Sequence, residues 1–162
     1  METEDRLFLS LSGRGAELWN APEPIFGANV EGAFPDSTDD LKEAARCLAL
    51  ERGTAAIFHL MRATEGAVKV LGAKLGATVL NANGEALPWG VLVSNIKPKI
   101  DALAKGQDQD AWYAVHALLH SVNRAFRTKT AHPASGLYTE EQARDAFAAT
   151  KAFLQEMAER VV

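Results

Sequence analysis

The sequence predicts an all-α fold, and three observations carry the prediction. Apolar residues recur at alternating spacings of four and three along most of the chain, which is the period of one helix face. The only alternating run that could form a strand, Leu7 to Leu11, is short. Breaks at Gly53, at 81-NANGEALP-88 and at Gly106 cut the chain into helix-sized pieces. The expected architecture is an antiparallel bundle of about four long helices, with short helices and an irregular N-terminal arm. A chain of 162 residues can bury a sizeable core as one domain.

The arm, residues 1–37, holds three of the six prolines, at Pro22, Pro24 and Pro35. Phe8, Trp19, Phe26 and Phe34 read as aromatic anchors that pack it on the helical domain, residues 38–162. A short helix near 14–20 fits the local sequence.

In the first long helix, Ser37 or Thr38 is the expected cap and acids occupy the first turn. Leu41, Ala45 and Leu48 form its stripe, and Gly53 is the expected break. The next helix has the clearest period, with Ile57, Met61, Thr64, Val68, Leu71 and Leu75 on one line. A third runs along Trp89, Val93, Ile96, Ile100 and Leu103, with a kink or break expected near Lys97 because Pro98 lies inside it. A fourth starts near Asp108 to Asp110 and turns Trp112, Val115, Leu119, Val122 and Phe126 to the core. Thr139 with Gln142 announces the last helix as a capping box. Its stripe is Ala143, Phe147, Thr150, Leu154, Met157 and Val161.

Composition narrows the function classes. A net charge of −4 and a pI near 5.6 argue against a protein that coats nucleic acid, though not against one that touches a few phosphates. The single cysteine, Cys47, excludes an internal disulfide and sits among apolar residues as a small buried hydrophobe. The stretch METEDRLFLSLSG lacks the basic start and apolar run of a signal peptide, and no apolar stretch approaches the roughly 20 residues of a spanning helix. A cytoplasmic location without membrane association is the expectation.

The chemistry-bearing residues gather near the end of the fourth helix. His116, His120, Asn123 and Arg127 are spaced four, three and four, so they share a polar line beside the apolar stripe. Arg124 and Lys129 flank it. Pro133 pushes the residue before it out of the helical region, which frees His132 to swing toward Arg127. The plain alternative is a basic helix end, where Lys, Arg and His complement the dipole and bond the last carbonyls. His116 and His120 also make an H-x3-H pair, but position 117 is Ala and no second dense ligand cluster is visible, so no metal or other cofactor is expected. Arg62 and Glu65, three apart, read as an ordinary helix ion pair, with Glu65 as an orienter of Arg127 the alternative. Tyr138 is expected to pack at the start of the last helix. His59 has no evident partner in sequence.

The stretch from Arg127 to His132, RTKTAH, resembles the Arg-x4-6-His motif of the HEPN superfamily (higher eukaryotes and prokaryotes nucleotide-binding domains). It lies at the end of a penultimate long helix, before a loop and a final amphipathic helix. The stretches 58-FHLMRATEGAVKVLG-72, Trp89-Gly90 and 138-YTEEQARDAFAATKAFLQEMA-158 also resemble bacterial HEPN-like proteins, so the similarity spans about residues 38–162. The resemblance implies an all-α bundle, usually a homodimer or pseudo-dimer. Many members are metal-independent endoribonucleases of toxin–antitoxin, antiphage or RNA-processing systems. It gives Arg127 and His132 the catalytic roles, in a cleft shared by two protomers, with RNA as substrate and an antitoxin or other protein as a further candidate partner. His120, Asn123, Arg124, Thr128 and Lys129 are the neighbouring candidates for substrate binding. Thr128 departs from the pattern, because the residue after the motif arginine is often Asn or another polar group, and a hydroxyl, though it can still hydrogen-bond, lacks an amide's paired donor and acceptor. A non-catalytic HEPN-like module that binds RNA, nucleotide or protein therefore stays open beside the nuclease, as does a dimeric scaffold with an inert cleft.

Overall fold

The structure is a computed structural model that describes residues 10–123 and 136–161. Among the described residues it is all-helical. The segments are α1 (Gly13–Trp19), α2 (Ala28–Ala33), a 3-10 turn (Pro35–Ser37), α3 (Thr38–Ala49), α4 (Gly53–Lys74), α5 (Trp89–Asp101), α6 (Gln107–Val122) and α7 (Glu140–Val161). No helix among the described residues is long and apolar enough to cross a membrane.

The central element is α4, which packs against α3, α5 and α7. Its expected stripe is buried from Ile57 to Leu71, with Leu75 only partly so. A second stripe, Ala56, Leu60, Ala63 and Ala67, is buried as well. Its alanines contribute little to a hydropathy pattern but let neighbouring helices approach closely. Each large side chain fully buried in this way stabilises the fold by roughly 1.5–3 kcal/mol.

The α3–α4 connection refines the expected break. The left-handed residue is Glu51, with φ 58°, and the Arg52 N–H donates to the Cys47 carbonyl at 2.8 Å. Gly53 is instead the first residue of α4. A Cβ there would meet the Ala143 Cβ and the Thr139 carbonyl oxygen, each at 3.1 Å, so glycine is what lets α4 start against the head of α7. Tyr138 is buried at that junction, as expected, and its N–H donates to the Thr54 hydroxyl at 3.0 Å. The capping box is present: the Gln142 N–H donates to Thr139 Oγ1 and the Thr139 N–H to Gln142 Oε1.

Ser37 takes the N-cap position of α3 but does not bond the helix end with its side chain. Its hydroxyl donates across to the Ala63 carbonyl of α4 at 3.0 Å. Gly66 makes room for it, because a Cβ at that position would lie 2.6 Å from Ser37 Oγ.

The arm is more helical than its prolines and glycines suggest. Phe26, Val30 and Phe34 belong to the main buried cluster. Lys151 and Gln155 of α7 donate to the carbonyls of Ile25 and Phe26 at 2.7 and 3.1 Å, and Lys42 of α3 pairs with Glu23 at 2.8 Å. Trp19 is not the anchor expected of it: it is 47% exposed at the end of α1. Phe8 lies outside the described residues.

No break occurs at Pro98, and α5 continues through it to Asp101. Only one intrahelical donor is lost there, and buried Ile96 and Ile100 hold the helix to the core on both sides. At the C-terminus of α5, the Gln109 side-chain amide donates to the carbonyls of Ile100 and Leu103, which joins α6 to α5.

Candidate functional site

The polar line anticipated on α6 is present as far as the described residues extend. Trp112, Val115, Leu119 and Val122 are buried and fix which side of α6 faces the core. His116 lies half-buried beside that stripe, His120 is exposed, and Asn123, the C-cap, is half-buried. Nε2 of His116 is buried without a hydrogen-bond partner among the described residues. Burial holds the His116 imidazole below its ordinary pKa, the neighbouring His120 adds to the effect, and a backbone contact at Val93 works the other way. His116 is therefore a neutral ring at neutral pH. No side-chain hydrogen bond ties down His120 or Asn123 among the described residues. The H-x3-H pair gains no third His, Cys, Asp or Glu donor among them. Arg124, Phe126, Arg127, Thr128, Lys129 and His132 lie outside the described residues, as does the convergence expected of Arg127 and His132.

A second polar cluster lies between α3 and α4. Asp40, in the first turn of α3, accepts from two residues of α4. His59 Nδ1 is 2.7 Å from Asp40 Oδ1, and Arg62 Nε donates to Asp40 Oδ2 at 3.1 Å. His59 and Arg62 are three apart, so one helix face presents both to the same carboxylate. His59 thus has a partner after all, on a neighbouring helix. Arg62 pairs with Asp40 instead of Glu65, because the α3 carboxylate is fixed in place where the guanidinium leaves α4. The Arg62 guanidinium also lies 5.9 Å from the centre of the exposed Phe58 ring.

The cluster continues along α3. Glu43 and Cys47 are four apart and share a face. Cys47 is buried, as expected, and its thiol lies 3.9 Å from Glu43 Oε1. Burial pushes the thiol pKa up, the Glu43 charge adds to it, and Arg52 opposes it. One donor atom from each of Glu43, Cys47 and His59 lies within 4.8 Å of the other two. The cluster opens onto a broad cleft of about 680 Å³ lined by Asp36, Asp40, Glu43, Arg46, His59 and Arg62. Sequence reading missed this site because its members belong to two helices. The available signal was a histidine and an arginine three apart, away from the main apolar stripe of α4.

Chemically, the two regions offer different things. The α3–α4 cluster can fix an imidazole by a carboxylate and hold a cation among sulfur, nitrogen and oxygen donors. The described end of α6 offers an exposed imidazole and an amide, next in sequence to a run of cations. Comparison of the chain with protein-family models, with curated proteins and with solved structures returns no match.

Proposed function

We propose that the chain is an HEPN-type domain that cleaves RNA without a metal, at a cleft formed by two copies in which Arg127 and His132 do the chemistry. The observation that supports this reading most is the position of RTKTAH. It follows the His116, His120, Asn123 line of α6 and precedes the capped start of α7. In this reading the long helices form an antiparallel bundle, the protein acts in the cytoplasm as a homodimer, and an antitoxin-like protein or a defence system controls it.

The chemistry asks for what these residues offer. The 2′-hydroxyl attacks the adjacent phosphorus, its proton passes to a base, and the 5′-oxygen leaves with a proton from an acid. The products are a 2′,3′-cyclic phosphate and a 5′-hydroxyl. Histidine suits both proton transfers near neutral pH. The arginine fork neutralises charge on the phosphorane oxygens. Each chain supplies one His132, so a two-fold pair supplies the acid and the base.

The test incubates RNA with the protein in chelator, beside Arg127→Ala and His132→Ala, and identifies the new ends. Cleavage that leaves cyclic phosphates and falls at least roughly 100-fold in either variant supports the nuclease. Absence of cleavage, or equal cleavage by both variants, removes it. Thr128 in place of the family's frequent Asn favours a second reading, a module that binds RNA, nucleotide or a protein without cutting. Retention of labelled RNA with no cleavage, lost in Arg127→Ala, would select that reading for RNA.

A further inference from the structure

The α3–α4 cluster carries an inference independent of the RNA chemistry. We propose that Glu43, Cys47 and His59 form a binding site for a divalent transition metal of the zinc class, with Asp40 holding His59 in the ligating orientation.

Three features support the assignment. The first is geometry. The donor atoms already lie within 4.8 Å of one another, and the Cys47 Sγ to Glu43 Oε1 distance is 3.9 Å. Zinc bonds of about 2.3 Å to sulfur and about 2.0–2.2 Å to nitrogen and oxygen place tetrahedral donors roughly 3.4–3.6 Å apart. In the proposed site a side-chain torsion of Glu43 closes the difference while Asp40 keeps His59 in place.

The second is the donor set. A thiolate, an imidazole and a carboxylate suit zinc or cobalt and do not suit magnesium or calcium, which take oxygen donors. Asp40 accepts from His59 Nδ1, which leaves the Nε2 lone pair for a metal, the carboxylate–histidine arrangement that orients and strengthens an imidazole ligand. The third is charge. A divalent ion displaces the thiol proton to solvent, and the +2 ion with one thiolate and one carboxylate forms a neutral unit in a partly buried place. The three protein donors leave a fourth position for water or an anion, and the adjoining cleft is lined by Arg46, paired with Glu43 at 3.6 Å, and by Arg62, paired with Asp40.

The test titrates the tag-free, reduced full chain with Co²⁺ and follows its absorption. The expected result is saturation at one ion per chain, with a near-ultraviolet thiolate-to-cobalt band and tetrahedral-strength visible bands, all erased by Zn²⁺. Because the chain has one cysteine, the thiolate band reports Cys47. Glu43→Gln and His59→Gln each abolish saturable binding, and Asp40→Asn weakens it roughly 10- to 100-fold while leaving the stoichiometry at one. Circular dichroism verifies that each variant keeps its helix content. The proposal fails if no thiolate band saturates, if saturation comes at one ion per two chains, or if Glu43→Gln and His59→Gln bind cobalt like the parent chain. RNA cleavage in chelator reads Arg127 and His132 alone, so either outcome there leaves this result intact.

Discussion

The α3–α4 cluster and the end of α6 are both polar regions beside the same core, but they are built differently. In the first, Asp40 is held on one helix and grips His59 and Arg62 on another, so each side chain is placed by a neighbour. In the second, His116, His120 and Asn123 follow one another on one helix, and periodicity alone places them. Contacts between helices preorganise a site, whereas a line on a single helix needs something else to complete it. In the proposed reading that something is residues 124–135 and a second copy of the chain.

The largest expected effect separates the two regions by activity. Arg127→Ala and His132→Ala should each lower RNA cleavage at least roughly 100-fold, while Asp40→Ala leaves it within a few-fold of the parent rate. Loss of cleavage in Asp40→Ala, with cleavage retained in His132→Ala, would move the catalytic site to the α3–α4 cleft. Next in size is the core beneath each region. Leu60 of α4 and Leu119 of α6 are both fully buried, and alanine at either should cost about 2–5 kcal/mol in denaturant unfolding. Similar costs would show that the regions differ in their polar surface and share one core.

A smaller difference should appear in the polar residues themselves. Asp40→Ala strips the partner from His59 and Arg62 and should destabilise by about 1–2 kcal/mol, reduced by the exposure of Arg62. His120→Ala, exposed and without a hydrogen bond among the described residues, should stay within about 0.5 kcal/mol. Equal losses at the two positions would show that the end of α6 is as strongly tied as the cluster.

The smallest effect concerns pH. The folded His116 imidazole titrates below its ordinary value of 6.5, chiefly because it is buried and because His120 is near. The unfolded chain therefore binds the proton more readily. The stability that comes from keeping this ring neutral is present above about pH 6.5 and is lost as pH falls through the lower folded value. Thermal melts of His116→Gln should show a shallower loss between pH 7 and pH 5 than those of the parent chain. A steeper loss in the variant would reverse the assignment.

The helices were legible in sequence to the extent that their apolar spacing was strong. The stripes of α4, α5 and α6 were read largely as they occur, and Thr139 with Gln142 marked the start of α7. Short-range rules served less well where a long-range contact competed with them. Ser37 reads as a helix cap, yet its hydroxyl serves the Ala63 carbonyl. Arg62 reads as the partner of Glu65, yet Asp40 takes it. Trp19 reads as an anchor, but its position at the end of α1 leaves it half-exposed. Pro98 reads as a kink or break, and α5 runs past it to Asp101 without a break.

The sequence by itself determined the all-helical class, most of the stripes and the polar line that leads toward Arg127. These depend on spacing within one segment, and the helical period turns spacing directly into a shared face. Only the tertiary structure brought Asp40 to His59 and Arg62, and Glu43 and Cys47 to His59. Those donors come from two helices, and their meeting depends on the rotation and depth at which α3 packs on α4. That packing is set by the close approach of small residues such as Ala63 and Gly66 and by the Ser37 bond across it, none of which leaves a periodic trace in the chain.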